Sequence, residues 1–167
     1  MNFDAGVAVM RCTGEVRELM HRFKYGKQRY LRRLLGGWLA EALDDDRLAD
    51  IEPDVLVPVP LHPARERERE FNQAEELARW VTRLRGVPTA RLLRRRRYTV
   101  TQTRFDREQR MRNLREAFEV RQNARVAGQH ILLVDDILTT GSTLDECARV
   151  LVGAGAASVN AIAVARG

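Results

Sequence analysis

Apolar residues recur along this chain with two periods. Between Thr13 and Tyr25, Val16, Leu19, Met20 and Phe23 fall at helical spacing behind a threonine able to cap, which predicts an amphipathic helix. After a break at Tyr25-Gly26, Leu31, Leu34, Leu35, Trp38, Leu39 and Ala42 predict a second helix over Tyr30 to Leu43, ended by Asp44, Asp45 and Asp46. The run Asp54-Val55-Leu56-Val57-Pro58-Val59-Pro60 is short, apolar and closed by proline, so it reads as a buried strand. Ala74, Leu77, Ala78 and Val81 predict a helix from about Asn72 to Leu84.

The middle of the chain loses this patterning. Leu92-Leu93 opens a second strand, Ala117 to Val120 a returning one, and Tyr98 to Leu114 between them is polar and Arg-rich, helical in part from Asp106. The last third is the clearest. His130-Ile131-Leu132-Leu133-Val134 is a parallel-type strand ending in Asp135-Asp136. A Thr/Gly/Ser loop follows, then a helix through Leu144, Cys147, Ala148 and Leu151, a turn at Gly153 and Gly155, and a strand from Ser158 to Ala165. Strand, helix, strand in that order predicts a right-handed parallel unit and an α/β fold. Ligands of such sheets sit at the carboxyl ends of strands, which places the site near Asp136.

Composition narrows the class. A chain of 167 residues with 44% hydrophobic and 31% charged residues reads as one soluble domain, 1–167. The longest uncharged run, Val150 to Ala165, is short of the ~20 apolar residues of a membrane helix, so no membrane insertion is expected. Cys12 and Cys147 form neither a disulfide framework nor a zinc motif, which points to the cytoplasm.

Charge sharpens the picture further. The net +6 is carried by 27 Arg and only 2 Lys, and it is unevenly placed. Arg91 to Arg125 holds 12 Arg and 4 acids, while the remainder is slightly acidic. Such a segment reads either as a site for phosphate or nucleic acid or as a solvated face of an Arg-rich protein.

The chemistry gathers at Asp135-Asp136-Ile137-Leu138-Thr139-Thr140-Gly141-Ser142-Thr143. Two carboxylates can accept from the hydroxyls of a sugar diol. Four hydroxyl side chains then flank a glycine at a helix start, where backbone N–H groups and the helix dipole suit a phosphate dianion. A helix cap alone needs one hydroxyl, not four. The stretch is no Walker loop, and Gly153-Ala154-Gly155 follows a helix rather than a strand, which excludes a dinucleotide fingerprint. Diol acceptors followed by a phosphate cradle describe a ribose 5-phosphate site.

That stretch resembles the signature of type I phosphoribosyltransferases, whose substrate is 5-phosphoribosyl 1-diphosphate (PRPP). Across about residues 9–166 the chain is similar to the competence-associated ComF family. The match rests on Val57-Pro58-Val59-Pro60-Leu61-His62-Pro63, on Phe71-Asn72-Gln73-Ala74, on Gln102, Arg110, Asn113 and Phe118, and on Leu19 with Phe23-Lys24-Tyr25-Gly26. The resemblance implies a parallel sheet flanked by helices, with a helical hood over residues 1–50, a PRPP-binding core over 54–167 and a mobile loop at about 98–116.

It also implies a division of labour. Asp135 and Asp136 hold the ribose hydroxyls, and Thr139, Thr140, Gly141, Ser142 and Thr143 the 5-phosphate. Pro60, Leu61 and His62 meet the pyrophosphate with Arg69 nearby; the other reading of His62 is a loop histidine held by a backbone carbonyl. His21 and His130 read as structural. Arg110 and Asn113, then Gln102 and Arg107, are the catalytic candidates of the loop, since arginine forks onto phosphate oxygens and stabilises a departing pyrophosphate. Lys24 and Tyr25 are acceptor or hood contacts, and Arg94, Arg95, Arg96 and Arg97 general electrostatics or DNA contacts. Mg²⁺ is expected through phosphates, with Asp135 and Asp136 and without a protein cage.

Two functions follow from the resemblance. One is transfer of ribose 5-phosphate from PRPP to an unidentified nucleophile, with an amine, a purine, a pyrimidine or a nucleic-acid end all open, and with release of pyrophosphate. The other is a non-catalytic single-stranded-DNA-binding or adaptor protein of DNA uptake, with competence proteins such as a helicase as partners; an oligomer is compatible with either. Relatives often carry an N-terminal four-cysteine zinc ribbon, and none is present here, so no structural zinc is expected. Glu70 stands where glycine usually precedes Phe-Asn-Gln, which matters if that position needs a positive φ.

Overall fold

In the computed structural model, residues 1–26, 28–96 and 116–167 are described, and a four-stranded parallel sheet organises them. In chain order they comprise β1 (Gly6–Arg11), α1 (Gly14–Tyr25), α2 (Arg32–Glu41), β2 (Val55–Pro58), α3 (Pro63–Arg69), α4 (Gln73–Arg85), β3 (Leu93–Arg95), β4 (Phe118–Val120), β5 (His130–Leu138), α5 (Ser142–Gly153) and β6 (Ser158–Arg166). The sheet order is β1-β6-β5-β2, and β3 and β4 form a separate antiparallel ribbon. No helix among the described residues is long and apolar enough to cross a membrane.

Each central strand is apolar on both sides because both faces are covered. Ile131 and Leu133 of β5 and Val159, Ala161 and Ala163 of β6 pack with Leu144, Cys147, Ala148 and Leu151 of α5 and with Leu93 and Phe118 of the ribbon. Leu132 and Val134, with Ile162 and Val164, pack with Met20 and Phe23 of α1, Leu35 and Leu39 of α2, and Leu77, Ala78 and Val81 of α4. Strand alternation therefore sorts the core into two layers, Ile131 and Leu133 of β5 toward α5 and the ribbon, Leu132 and Val134 toward α1, α2 and α4; past the acids, Ile137 packs with the second layer and Leu138 with the first.

The pairing of β2 with β5 runs from Val55–Ile131 to Pro58–Val134, with Val59 N–H donating to Val134 O at 2.9 Å. Leu56 bonds the other way, to Pro88 and Ala90, so Pro58 and Pro60 direct their missing donors toward that edge. With β2 ended, β5 runs four residues further against β6, to Leu138–Arg166. The carboxyl end of β5 thus projects beyond its neighbour, and the two acids lie on this projection.

Several sequence expectations change here. The acids lie inside the strand, which ends at Leu138 rather than at Asp135-Asp136. The stretch 1–50 is not wholly helical, because Gly6–Arg11 pairs in parallel with β6 as the edge strand of the sheet. The second helix is α-helical only over Arg32–Glu41, with 3-10 turns at Arg29–Leu31 and Ala42–Asp44 on either side. Thr13 takes the cap position of α1 without a side-chain hydrogen bond. α3, with the sequence PARERER, has no apolar periodicity; what starts it is Pro63 at the first turn and His62 at the cap.

α2 and α4 meet at Gly36, where an added Cβ would lie 2.8 Å from the Cβ of Trp80. Gly37, one residue on, faces open space. We expect Gly36→Ala to lower stability by about 1–2 kcal/mol through overpacking, and Gly37→Ala to raise it by up to about 1 kcal/mol through helix propensity. Urea denaturation of the two variants checks this; equal effects would contradict the close contact.

Candidate functional site

The site is built at the projecting end of β5. Alternation sends its two acids to opposite layers, which the spacing of adjacent residues dictates once both lie within a strand. Asp136, 8% exposed, faces α1, where its Oδ2 lies 2.9 Å from Nζ of Lys24. Asp135 lies toward the ribbon and α5, with Arg95 and Cys147 as its electrostatic neighbours, and its Oδ1 accepts the N–H of Asp136 at 2.8 Å. Burial, then the charge of Asp136, push the Asp135 carboxyl up to about 7, against the opposing pull of the Asp136 N–H, Lys24 and Arg95. Burial also pushes the Cys147 thiol up and the Arg95 guanidinium down.

Beyond β5 the chain turns through Thr139 and Thr140 into Gly141, whose φ of +77° is open to glycine at little cost. Gly141 caps α5, and its carbonyl accepts from Asp145 N–H at 2.8 Å. Thr140 Oγ1 and Ser142 Oγ share a hydrogen bond of 2.8 Å, which sets both hydroxyls at the mouth of the helix. The first-turn N–H groups of α5 have no intrahelical acceptors, so Thr139 to Thr143 form an anion-ready turn. Asp145 in that turn is held aside by the N–H and Nδ2 of Asn2.

The segment after β2 closes the site on a third side. His62 caps α3, its Nδ1 accepting from Ala64 N–H at 3.2 Å, so a neutral ring carries its proton on Nε2. Arg69 donates from Nη1 to Gln73 Oε1 and from Nη2 to the Tyr25 hydroxyl, both at 3.0 Å, with its guanidinium 5.0 Å above the Tyr25 ring. Among the described residues, its Nε and the Nε2 of Gln73 are buried donors without an acceptor. Asn72 caps α4 through Ala74 N–H and donates to Val59 O at 3.0 Å, so the Phe-Asn-Gln stretch ties α4 to the end of β2. Glu70 has φ +67°, in the left-handed region where glycine is the natural choice.

Lys24 and Tyr25 therefore enter the site from a single helical turn, one on the acids and the other on Arg69. The Arg94–Arg97 group divides instead. Arg94 and Arg96 both pair with Glu119 across the ribbon, while Arg95 turns inward over the Phe118 ring at 5.2 Å. Arg95 thus differs in placement from Arg94 and Arg96, as the strand alternation of Leu93–Arg95 dictates. Pro60, Leu61 and Arg95 line a cleft of about 420 Å³ with Glu66, Arg91 and Glu119, beside the acids rather than over them. Gln102, Arg107, Arg110, Asn113 and Arg97 lie outside the described residues, in the segment that joins β3 to β4.

With this geometry in place, comparisons with known proteins agree on one fold. The phosphoribosyl transferase domain model matches residues 25–167. Competence protein F of Haemophilus influenzae is 32% identical over 89% of this chain and 66% of its own length. DNA utilization protein YhgH of Escherichia coli is 35% identical over 84% of this chain and 63% of its own length, so the chain spans a little under two thirds of these relatives. The adenine phosphoribosyltransferase of Thermoanaerobacter pseudethanolicus superposes with a TM-score of 0.52 at 16% identity, over 86% of this chain and 84% of that one, a likeness of fold.

Two outcomes test the site as built. Glu70→Gly relieves the left-handed strain and raises stability by about 0.5–1 kcal/mol in chemical denaturation; a loss would show that the glutamate side chain matters more than its φ. The raised Asp135 carboxyl favours the folded state when protonated, so that contribution fades as pH rises from about 4 through about 7. Asp135→Asn should therefore gain stability relative to wild type across that range and level off above it. A pH-independent difference in melting temperature would contradict the buried, elevated carboxyl.

Proposed function

The chain belongs to the phosphoribosyl transferase domain family, in its competence-associated branch, and we propose that it binds PRPP and transfers ribose 5-phosphate to a nitrogenous nucleophile with release of pyrophosphate. The observation that carries this reading is the succession on one stretch of backbone of two carboxylates, a left-handed glycine and an α-helix N-terminus. A 5-phosphate meets the N–H groups and hydroxyls of Thr139 to Thr143 and the positive end of α5. Ribose hydroxyls donate to Asp136 and, in its ionised form, to Asp135.

The leaving group has cations waiting for it. Pyrophosphate is met by the half-buried Pro60-Leu61-His62 segment after β2, by Nε2–H of His62, and by Arg69, whose buried Nε has no acceptor among the described residues. Arg95 adds a fixed charge on the ribbon side. Arg107, Arg110, Asn113 and Gln102, in the connecting segment, are proposed to complete this set by forking onto the departing oxygens. As the bond between ribose C1 and the pyrophosphate oxygen breaks, the negative charge passes to that oxygen and the nucleophile's lone pair forms the new bond at C1. Mg²⁺ beside Asp135 and Asp136, held through substrate oxygens, would draw charge off the leaving pyrophosphate. Among the described residues no three His, Cys, Asp or Glu side chains stand together as a cage.

The likeness to competence protein F and DNA utilization protein YhgH supports an association of this chemistry with DNA uptake. A DNA groove on the described part of the cationic run gains little support, because Arg94 and Arg96 are paired with Glu119 and Arg91 with Glu75. Calorimetry with PRPP and Mg²⁺ tests the reading. Wild type should bind, and Asp136→Asn should lose at least about tenfold, the worth of one charge-assisted hydrogen bond. No binding by wild type, or equal binding by the variant, would overturn it.

A further inference from the structure

On the strength of the PRPP reading, we propose that Lys24 is the built-in counter-cation of the Asp135–Asp136 pair, keeping bare divalent ions off the acids so that Mg²⁺ enters with the substrate. Two carboxylates on adjacent residues, at a sheet end largely withdrawn from water, attract a divalent ion unless a protein cation reaches them first. Lys24 reaches them. Its Nζ stands 2.9 Å from Asp136 Oδ2, and both side chains are mostly covered, 19% and 11% exposed.

The residue type supports this role. Of 29 basic residues in the chain, 27 are arginine, yet the described side chain ion-paired with Asp136 is lysine. An ammonium is a compact point charge, the side chain that most nearly replaces a monatomic cation, whereas a guanidinium is a planar fork. Its placement is also rigid. Lys24 belongs to the last turn of α1, which Met20 and Phe23 seat in the core. The next residue, Tyr25, is held by Arg69 through its hydroxyl and its ring. The helix end is thus pinned between the core and the segment after β2, and the ammonium is delivered to Asp136 from a fixed base. Lys24 is in this sense a positioning residue: it acts on substrate and metal through Asp136.

Mn²⁺ binding to the full chain without PRPP, followed by electron paramagnetic resonance of the free ion, tests the proposal. Wild type should bind Mn²⁺ only at millimolar concentration or weaker. Lys24→Met, checked for its fold by circular dichroism, should expose a site at least about tenfold tighter that Lys24→Met/Asp136→Asn loses again. A tight Mn²⁺ site in wild type overturns the proposal whatever the variants do. So does a Lys24→Met protein that binds no more tightly than wild type, or a site that survives Asp136→Asn. PRPP calorimetry on the same wild-type protein reads the parent function separately, so a Mn²⁺ site gained on Lys24→Met without PRPP binding retains the counter-cation and removes the substrate.

Discussion

Two neighbouring carboxylates on one strand, out of reach of most solvent, are the constraint to which the rest of this molecule answers. Coulomb repulsion and desolvation both oppose their ionisation, and the protein offsets these costs differently for each. Asp136 receives an ammonium from α1. Asp135 receives a neighbouring amide and the field of Arg95, and its carboxyl still stands near 7. The arrangement is stable only because the sheet separates the two side chains. On the PRPP reading, ribose hydroxyls arriving at this edge donate to the two acids. The projection of β5 past the prolines of β2 is what opens that edge.

The same constraint explains why distant parts of the chain converge here. α1 lies in the N-terminal segment, yet its last turn carries both Lys24 and Tyr25, and so couples the acids to Arg69. The ribbon lies on the other face, and its alternation divides an unbroken arginine run into outward pairs with Glu119 and one inward charge. A charge excess that reads from composition as a single cationic patch is thus, in its described part, partly paired with acids, Arg91 with Glu75 and both Arg94 and Arg96 with Glu119. What remains directed at the site is Arg95 on one side and Arg69 on the other, where pyrophosphate would leave.

Much of this was legible in the sequence, for identifiable reasons. The β5–α5–β6 unit announced itself through a continuous apolar run, a glycine between hydroxyls and a helical period, each with one physical reading. The positive φ of Glu70 was legible through the family's glycine at that position. α3 was hidden because a helix of alternating Arg and Glu on the surface carries no apolar stripe. β1 was hidden because six residues at the sheet edge, half-buried along most of their length, show neither a clean alternation nor a fully apolar run. The split of Asp135 from Asp136 was invisible for a different reason: it depends on whether β5 ends before or after the acids, and only its pairing with β6 decides that.

The central claim is that the end of β5 and the start of α5 bind a ribose 5-phosphate. Ribose 5-phosphate itself, which lacks the pyrophosphate and needs no metal, tests it most directly when titrated against the isotopically labelled protein and followed by amide chemical shifts. The account predicts saturable shifts at Asp136 and at Thr139 to Thr143, with the ribbon cleft around Arg91 and Glu119 unmoved. Silence at Thr139 to Thr143 under saturating ligand, or shifts confined to that cleft, would contradict it.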